Sequence, residues 1–142
     1  MSGINAIDPS GNWDLPITID LTRRADTGKI NSSPYTTIAS YVKLSTGCSG
    51  LQALTIPVSD PDGDTVRCYC AGNTCLSIMT LDSNTCTITF NPSATGNYAL
   101  DIVLEDFATP SSSTPLSSVP VQFLVNVSSG TTNCCKTFMI SI

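Results

Sequence analysis

Apolar and polar residues alternate along this chain in short runs, and clusters of Gly, Pro, Asn and Ser separate the runs. Side chains on a strand point to opposite faces with a period of two, so each run reads as a half-buried β-strand. Ile17, Ile19 and Leu21 alternate with Thr18, Asp20 and Thr22. Leu54, Ile56 and Val58 lead into an acidic turn, and Val66, Cys68 and Cys70 continue beyond it. Leu76, Ile78 and Leu81 make a short strand closed by Asp82-Ser83-Asn84, with Cys86, Ile88 and Phe90 as its hairpin partner. Tyr98, Leu100, Ile102 and Leu104 share one face, while Asp101 and Glu105 take the other. Val119, Val121, Phe123, Val125 and Val127 follow, and then Phe138, Ile140 and Ile142 at the tail. No window shows the three-and-four spacing of a helix.

Strands at this spacing predict an all-β fold, an immunoglobulin-like β-sandwich of seven to eight antiparallel strands braced by disulfides. The sandwich is expected over residues 15–127, after a polar N-terminal arm at 1–14 and before a linker and terminal strand at 128–142. Tyr98, two residues after Gly96 at the start of a long strand, predicts a tyrosine corner, with Leu100 where an antibody domain carries a cysteine. The Pro-, Ser- and Thr-rich stretch 108–120 reads as a surface loop.

Composition sharpens this picture. The chain has 142 residues, 41% of them hydrophobic and 12% charged, with a net charge of -5. A nucleic-acid partner would require a basic face, so none is expected. No apolar run is long enough for a membrane helix, so membrane insertion is not expected, and no leader pattern follows Met1. Seven cysteines occur with no histidine. The spacings around Cys68, Cys70, Cys75, Cys86, Cys134 and Cys135 are not those of paired zinc ligands, which favours disulfides in an oxidising compartment. Cys68 with Cys86 and Cys70 with Cys75 is one pairing; Cys75 with Cys86 is the alternative. Cys48 is left for Cys134 or Cys135, because the adjacent pair is too strained to bond to itself. The odd cysteine is then free or bonded to another chain. Without histidine there is no Ser-His-Asp or Cys-His arrangement, so the chain is not expected to be an enzyme.

Asp60-Pro61-Asp62-Gly63-Asp64 offers three carboxylates within five residues. Two readings stand side by side: a tight turn stabilised by aspartate-to-backbone bonds, or a calcium site using Asp60, Asp62 and Asp64. Glu105 and Asp106 complete such a site if the loops meet at one pole. Apart from that calcium, no cofactor is expected. Asn31 and Asn126 head N-glycosylation sequons, so attached glycans are expected, although Pro34 follows the first sequon directly.

The segment Val58 to Val66, then Ile88-Thr89-Phe90-Asn91-Pro92, then Gly96-Asn97-Tyr98 through Leu104-Glu105-Asp106, resembles the cadherin-like and PKD-like immunoglobulin-fold repeats of extracellular adhesion and surface proteins. The resemblance spans roughly residues 54–127 and implies a non-enzymatic role in adhesion, matrix or surface architecture. The inter-repeat Asn-Asp linker of cadherins is missing. The leading expectation is an extracellular or cell-surface structural protein, a homo-oligomer or polymer. It would assemble head to tail into a filament or surface layer as the strand of Phe138, Ile140 and Ile142 adds to a neighbour. One alternative is a single adhesion repeat of a modular surface protein, stiffened by calcium. Another is a carbohydrate-binding module using Trp13 or a row of Tyr35, Tyr41 and Tyr69.

Overall fold

The computed structural model describes residues 4–5, 16–73, 75–131, 134 and 137–138. Its strands in chain order are β1 (Ile4–Asn5), β2 (Thr18–Ile19), β3 (Tyr35–Thr36), β4 (Tyr41–Ser45), β5 (Gln52–Thr55) and β6 (Val58–Ser59). They continue as β7 (Thr65–Cys70), β8 (Met79–Asp82), β9 (Thr87–Phe90), β10 (Gly96–Phe107), β11 (Ser117–Ser128) and β12 (Thr137–Phe138). Ala71–Asn73 forms a single 3-10 turn, and no α-helix occurs among the described residues.

Two sheets make the sandwich. In one, β7, β10, β11 and β4 lie side by side, with β1 and β2 added at the strand ends; the other runs β12-β5-β9-β8. The orders β7-β10-β11 and β5-β9-β8 are those of the C-F-G and B-E-D strands of immunoglobulin sandwiches. Three pairings run parallel: β4 with β11, β12 with β5, and β1 with β10. Alternation carries no information on strand direction, so the sequence alone points only to the commoner antiparallel case.

The inward faces meet as expected. Leu100, Ile102 and Leu104 of β10 pack with Val125 and Val127 of β11 against Leu54, Ile88 and Phe90 of the second sheet, all essentially buried. Cys68 of β7 bonds Cys86 beside β9, a covalent tie between the sheets. Of the open pairings, the structure takes Cys68–Cys86 with Cys70–Cys75, and Cys48 bonds Cys134. Tyr98 donates its hydroxyl to the Ala94 carbonyl at 3.3 Å, closing the tyrosine corner.

Several details differ from the sequence reading. Ile17, Ile19 and Leu21 were expected on an inward face, but they are 60%, 58% and 71% exposed. Only Thr18 and Ile19 pair, with Ser118 and Ser117 at the edge of β11, so this segment is a short edge strand. β4 was not foreseen, although Val42 and Leu44 alternate there with Tyr41 and Lys43 and are buried. The loop predicted to reach Pro120 ends at residue 116, because β11 starts at Ser117. Pro120 fits this strand because its nitrogen faces outward. Leu124, four residues on and on the same side, donates its N–H away from β10 to the Ser40 carbonyl. Thr137 and Phe138, expected to add to a neighbouring molecule, pair instead with Ala53 and Leu54 of the same chain. Trp13, Cys135, Ile140 and Ile142 lie outside the described residues.

Candidate functional site

The pole where β6 meets β7 and β10 meets β11 collects the charged chemistry. Asp60 shapes the acidic turn: its Oδ1 accepts the backbone N–H of Asp62 at 2.9 Å and of Asp64 at 3.0 Å. Gly63 adopts a φ of 78°, a region that strains any side chain, and donates to the Asp60 carbonyl. The turn reading therefore holds. It also sorts the three carboxylates, because Asp62 swings outward to accept the Ser32 N–H at 2.7 Å. Asp64 turns inward, where Asp106 joins it. One ligand oxygen from each of Asp60, Asp64 and Asp106 lies within 4.8 Å of the others. Glu105 is sent to the opposite face of β10, with Arg67 as its register partner.

Asp106 is fully buried and well supplied with donors. Its Oδ1 accepts the Ser117 N–H at 2.7 Å and hydroxyl at 2.6 Å, and its Oδ2 accepts the Asn31 amide at 2.6 Å. Asn31 is thereby a structural residue. A glycan on that nitrogen would leave one N–H, which Asp106 already takes. Asn126 lies within β11, and its amide donates to Asn97 Oδ1 at 2.8 Å.

Arg24 completes the pole and had no counterpart in the sequence reading. Its guanidinium grips both oxygens of Asp64, with Nη2 to Oδ1 at 3.0 Å and a short contact from Nη1 to Oδ2. It also donates to Asp26 Oδ1 at 3.0 Å, Asp26 Oδ2 at 2.7 Å and Asn31 Oδ1 at 2.8 Å. These contacts, Asp26 first and then Asp64, push the Arg24 pKa above its ordinary value, and Arg24 holds Asp26 below the usual carboxylate range. Asp60 behaves oppositely. Burial pushes its carboxyl up against the pull of the two backbone N–H groups, and the Asp64 and Asp106 charges add to the rise. Its Oδ2 is buried without a hydrogen-bond partner.

This donor set does not fit calcium as it stands. Ca²⁺ takes six to eight oxygens. Here Asp64 faces a guanidinium, Asp106 faces three neutral donors, Asp62 points away, and Asp60 Oδ2 alone is left without a partner.

Beside the pole lies a mainly apolar cleft of about 440 Å³, lined by Ala25, Ala108 and Leu116 and by Asp20, Thr22, Arg23, Asp26, Asn31 and Thr109. Its rim is fixed by a small hairpin in which Arg23 bridges Ile30 and Gly28 turns at a φ of 69°. The three tyrosines named from the sequence do not form a row. Tyr35 sits on β3 beside the acidic turn, Tyr41 lies on β4 under the Lys43 ammonium, and Tyr69 is half-buried on β7.

No protein-family model matches the chain, and no curated protein matches it. Among solved structures it is similar to a provisionally assigned alpha-galactosidase/melibiase from Bacteroides fragilis, with a TM-score of 0.52 and 15% identity over 69% of this chain. A second provisionally assigned alpha-galactosidase from the same organism aligns over 69% of the chain with a TM-score of 0.49 and 14% identity. This chain spans 18% of the length of each. The first likeness shows the β-sandwich fold.

Proposed function

We propose that the chain is a non-catalytic module of a secreted or cell-surface protein, and that it binds carbohydrate through the cleft beside Arg24. The carrying observation is the composition of that cleft. Carboxylate, guanidinium, amide and hydroxyl groups share a mainly apolar cleft with Ala25, Ala108 and Leu116. A sugar ring offers the complement, a fringe of hydroxyls around an apolar C–H face. The cleft volume lies in the range of about 300–1,000 Å³ typical of small-molecule sites. The fold likeness supports this reading, because the similar sandwich is a minor part of a much longer protein named for galactoside chemistry. Three disulfides support an oxidising compartment.

The close carboxylates do not supply an acid and a nucleophile for glycoside cleavage. Asp64 is held by Arg24, and Asp106 is buried among Ser117 and Asn31. The test is affinity electrophoresis of the whole chain through gels containing neutral galactose-bearing polysaccharides. Retardation is expected, and Arg23→Ala or Thr109→Ala should weaken binding by about tenfold, the loss of one hydrogen-bonding partner. Unchanged mobility in every polysaccharide would sink the proposal, and hydrolysis of a nitrophenyl galactoside would sink its non-catalytic part.

One observation favours a second reading, association with another copy. Ile17, Ile19 and Leu21 are large apolar side chains left exposed on and beside the short edge strand, and clustered exposed apolar groups mark interaction surfaces. Light scattering should then show a dimer that Ile19→Asp converts to monomer; a monomer at all concentrations excludes it.

A further inference from the structure

The acidic turn offers oxygens to calcium, yet one of its carboxylates, Asp64, is already paired with a cation that is a side chain. Every other residue from 16 to 30 is exposed, while the Arg24 side chain is only 7% exposed, drawn in to Asp64, which is equally buried. The loop is built to deliver it. The Arg24 N–H donates to the Lys29 carbonyl at 2.8 Å, and the Gly28 N–H donates to the Arg24 carbonyl at 2.9 Å. Asp26 and Asn31 then orient the guanidinium from two further sides. A planar fork suits the two carboxylate oxygens in a way a point charge does not.

We infer that Arg24 is the built-in cation of this pole, occupying the role of a divalent metal, so that the module holds its shape without calcium. Three carboxylates this close repel one another unless a positive charge stands among them. Arg24 supplies one, tethered permanently to the chain and independent of ion concentration. Asp60 absorbs the remaining imbalance, since its unpartnered oxygen is the place where a proton relieves the repulsion. The inference concerns the pole alone and stands whether or not the neighbouring cleft holds sugar.

The test uses the full chain, stripped with EDTA, in two measurements. Calcium chloride titrated calorimetrically into the wild type should give no stoichiometric heat, and its melting temperature should be the same in EDTA and in millimolar calcium. Arg24→Gln frees the Asp64 carboxylate and removes the internal cation. That variant should melt several degrees lower in EDTA and recover much of the loss in calcium, while Arg24→Lys, which keeps the charge without the fork, should fall between. Stoichiometric calcium binding by the wild type overturns the inference, and this measurement needs no variant to fold. So does an Arg24→Gln variant whose stability or folding calcium does not change.

Discussion

The two ends of this sandwich are closed by different chemistry. At the end where β4 leads into β5, closure is covalent: Cys48 bonds Cys134. Beside that bond Gly47 lies so close to Gly130 that a Cβ would come within 2.4 Å of its carbonyl oxygen. At the opposite end closure is ionic and polar, through Asp106, Arg24, Asp64 and Asn31. A disulfide acts largely by limiting the unfolded chain and is indifferent to salt and to mild acid. A buried charge network acts in the folded state, and its loss leaves unpaired groups behind. The first end should therefore yield to reductant, the second to charge removal.

Removing the covalent closure should have the largest effect. Cys48→Ala with Cys134→Ala opens a bridge between residues 86 apart, for which loop entropy predicts about 4.6 kcal/mol. Urea unfolding should show that loss with little dependence on salt; an equal loss that varies strongly with ionic strength would erase the contrast between the ends. Asp106→Ala should cost about 3 kcal/mol, because Ser117 and Asn31 lose a buried acceptor. A cost under about 1 kcal/mol in the same experiment would mean the network is dispensable. Gly47→Ala should cost about 2 kcal/mol, since the added methyl meets backbone that cannot turn aside.

The smallest effect has the opposite sign. Asp60→Asn keeps the Oδ1 that the turn needs and places an amide where the unpartnered oxygen stands, so it should stabilise by about 1 kcal/mol at neutral pH. Asp60, Asp101 and Glu105 are all held above their ordinary values of 3.8 and 4.5, chiefly by burial. The folded chain therefore binds these protons more tightly than the unfolded chain. Stability from these groups is greatest at and below the ordinary values and is lost as pH rises through the raised ones. Asp60→Asn should flatten that decline in melting curves taken across mildly acidic pH. A decline as steep as in the wild type would point to Asp101 and Glu105 instead.

The covalent end and the core were largely legible in the sequence, and the ionic end was only half so. Period-two alternation placed β10 and most of β11 on the correct faces, because each apolar side chain declares its side locally. The same alternation separates Glu105 from Asp106 and so accounts for Asp106, and not Glu105, joining the acidic turn. It misled at Ile17, Ile19 and Leu21, where apolar side chains alternate but none of the described residues buries them. β4 has its signal in Val42 and Leu44, a faint one because Ser and Thr surround so short a run. Arg24 had none. Its partner Asp64 is 40 residues away, and nothing local tells a buried arginine from one in solvent. The seven cysteines announced disulfides, but the choice of Cys134 for Cys48 is a matter of spatial proximity that spacing cannot encode.

The position of the Cys48–Cys134 bond has a mechanical meaning. Tension applied to the chain before Cys48 and after Cys134 passes straight through the sulfur bridge and never loads the chain between them. That sheltered stretch contains β5 through β11. While oxidised, the module withholds roughly 290 Å of extensible chain, taking about 3.4 Å for each of the residues bypassed. What can give way is confined to the outlying strands, such as β4 peeling from β11. Reduction releases the reserve, so the same molecule is a stiff link in an oxidising medium and a long, yielding one in a reducing medium.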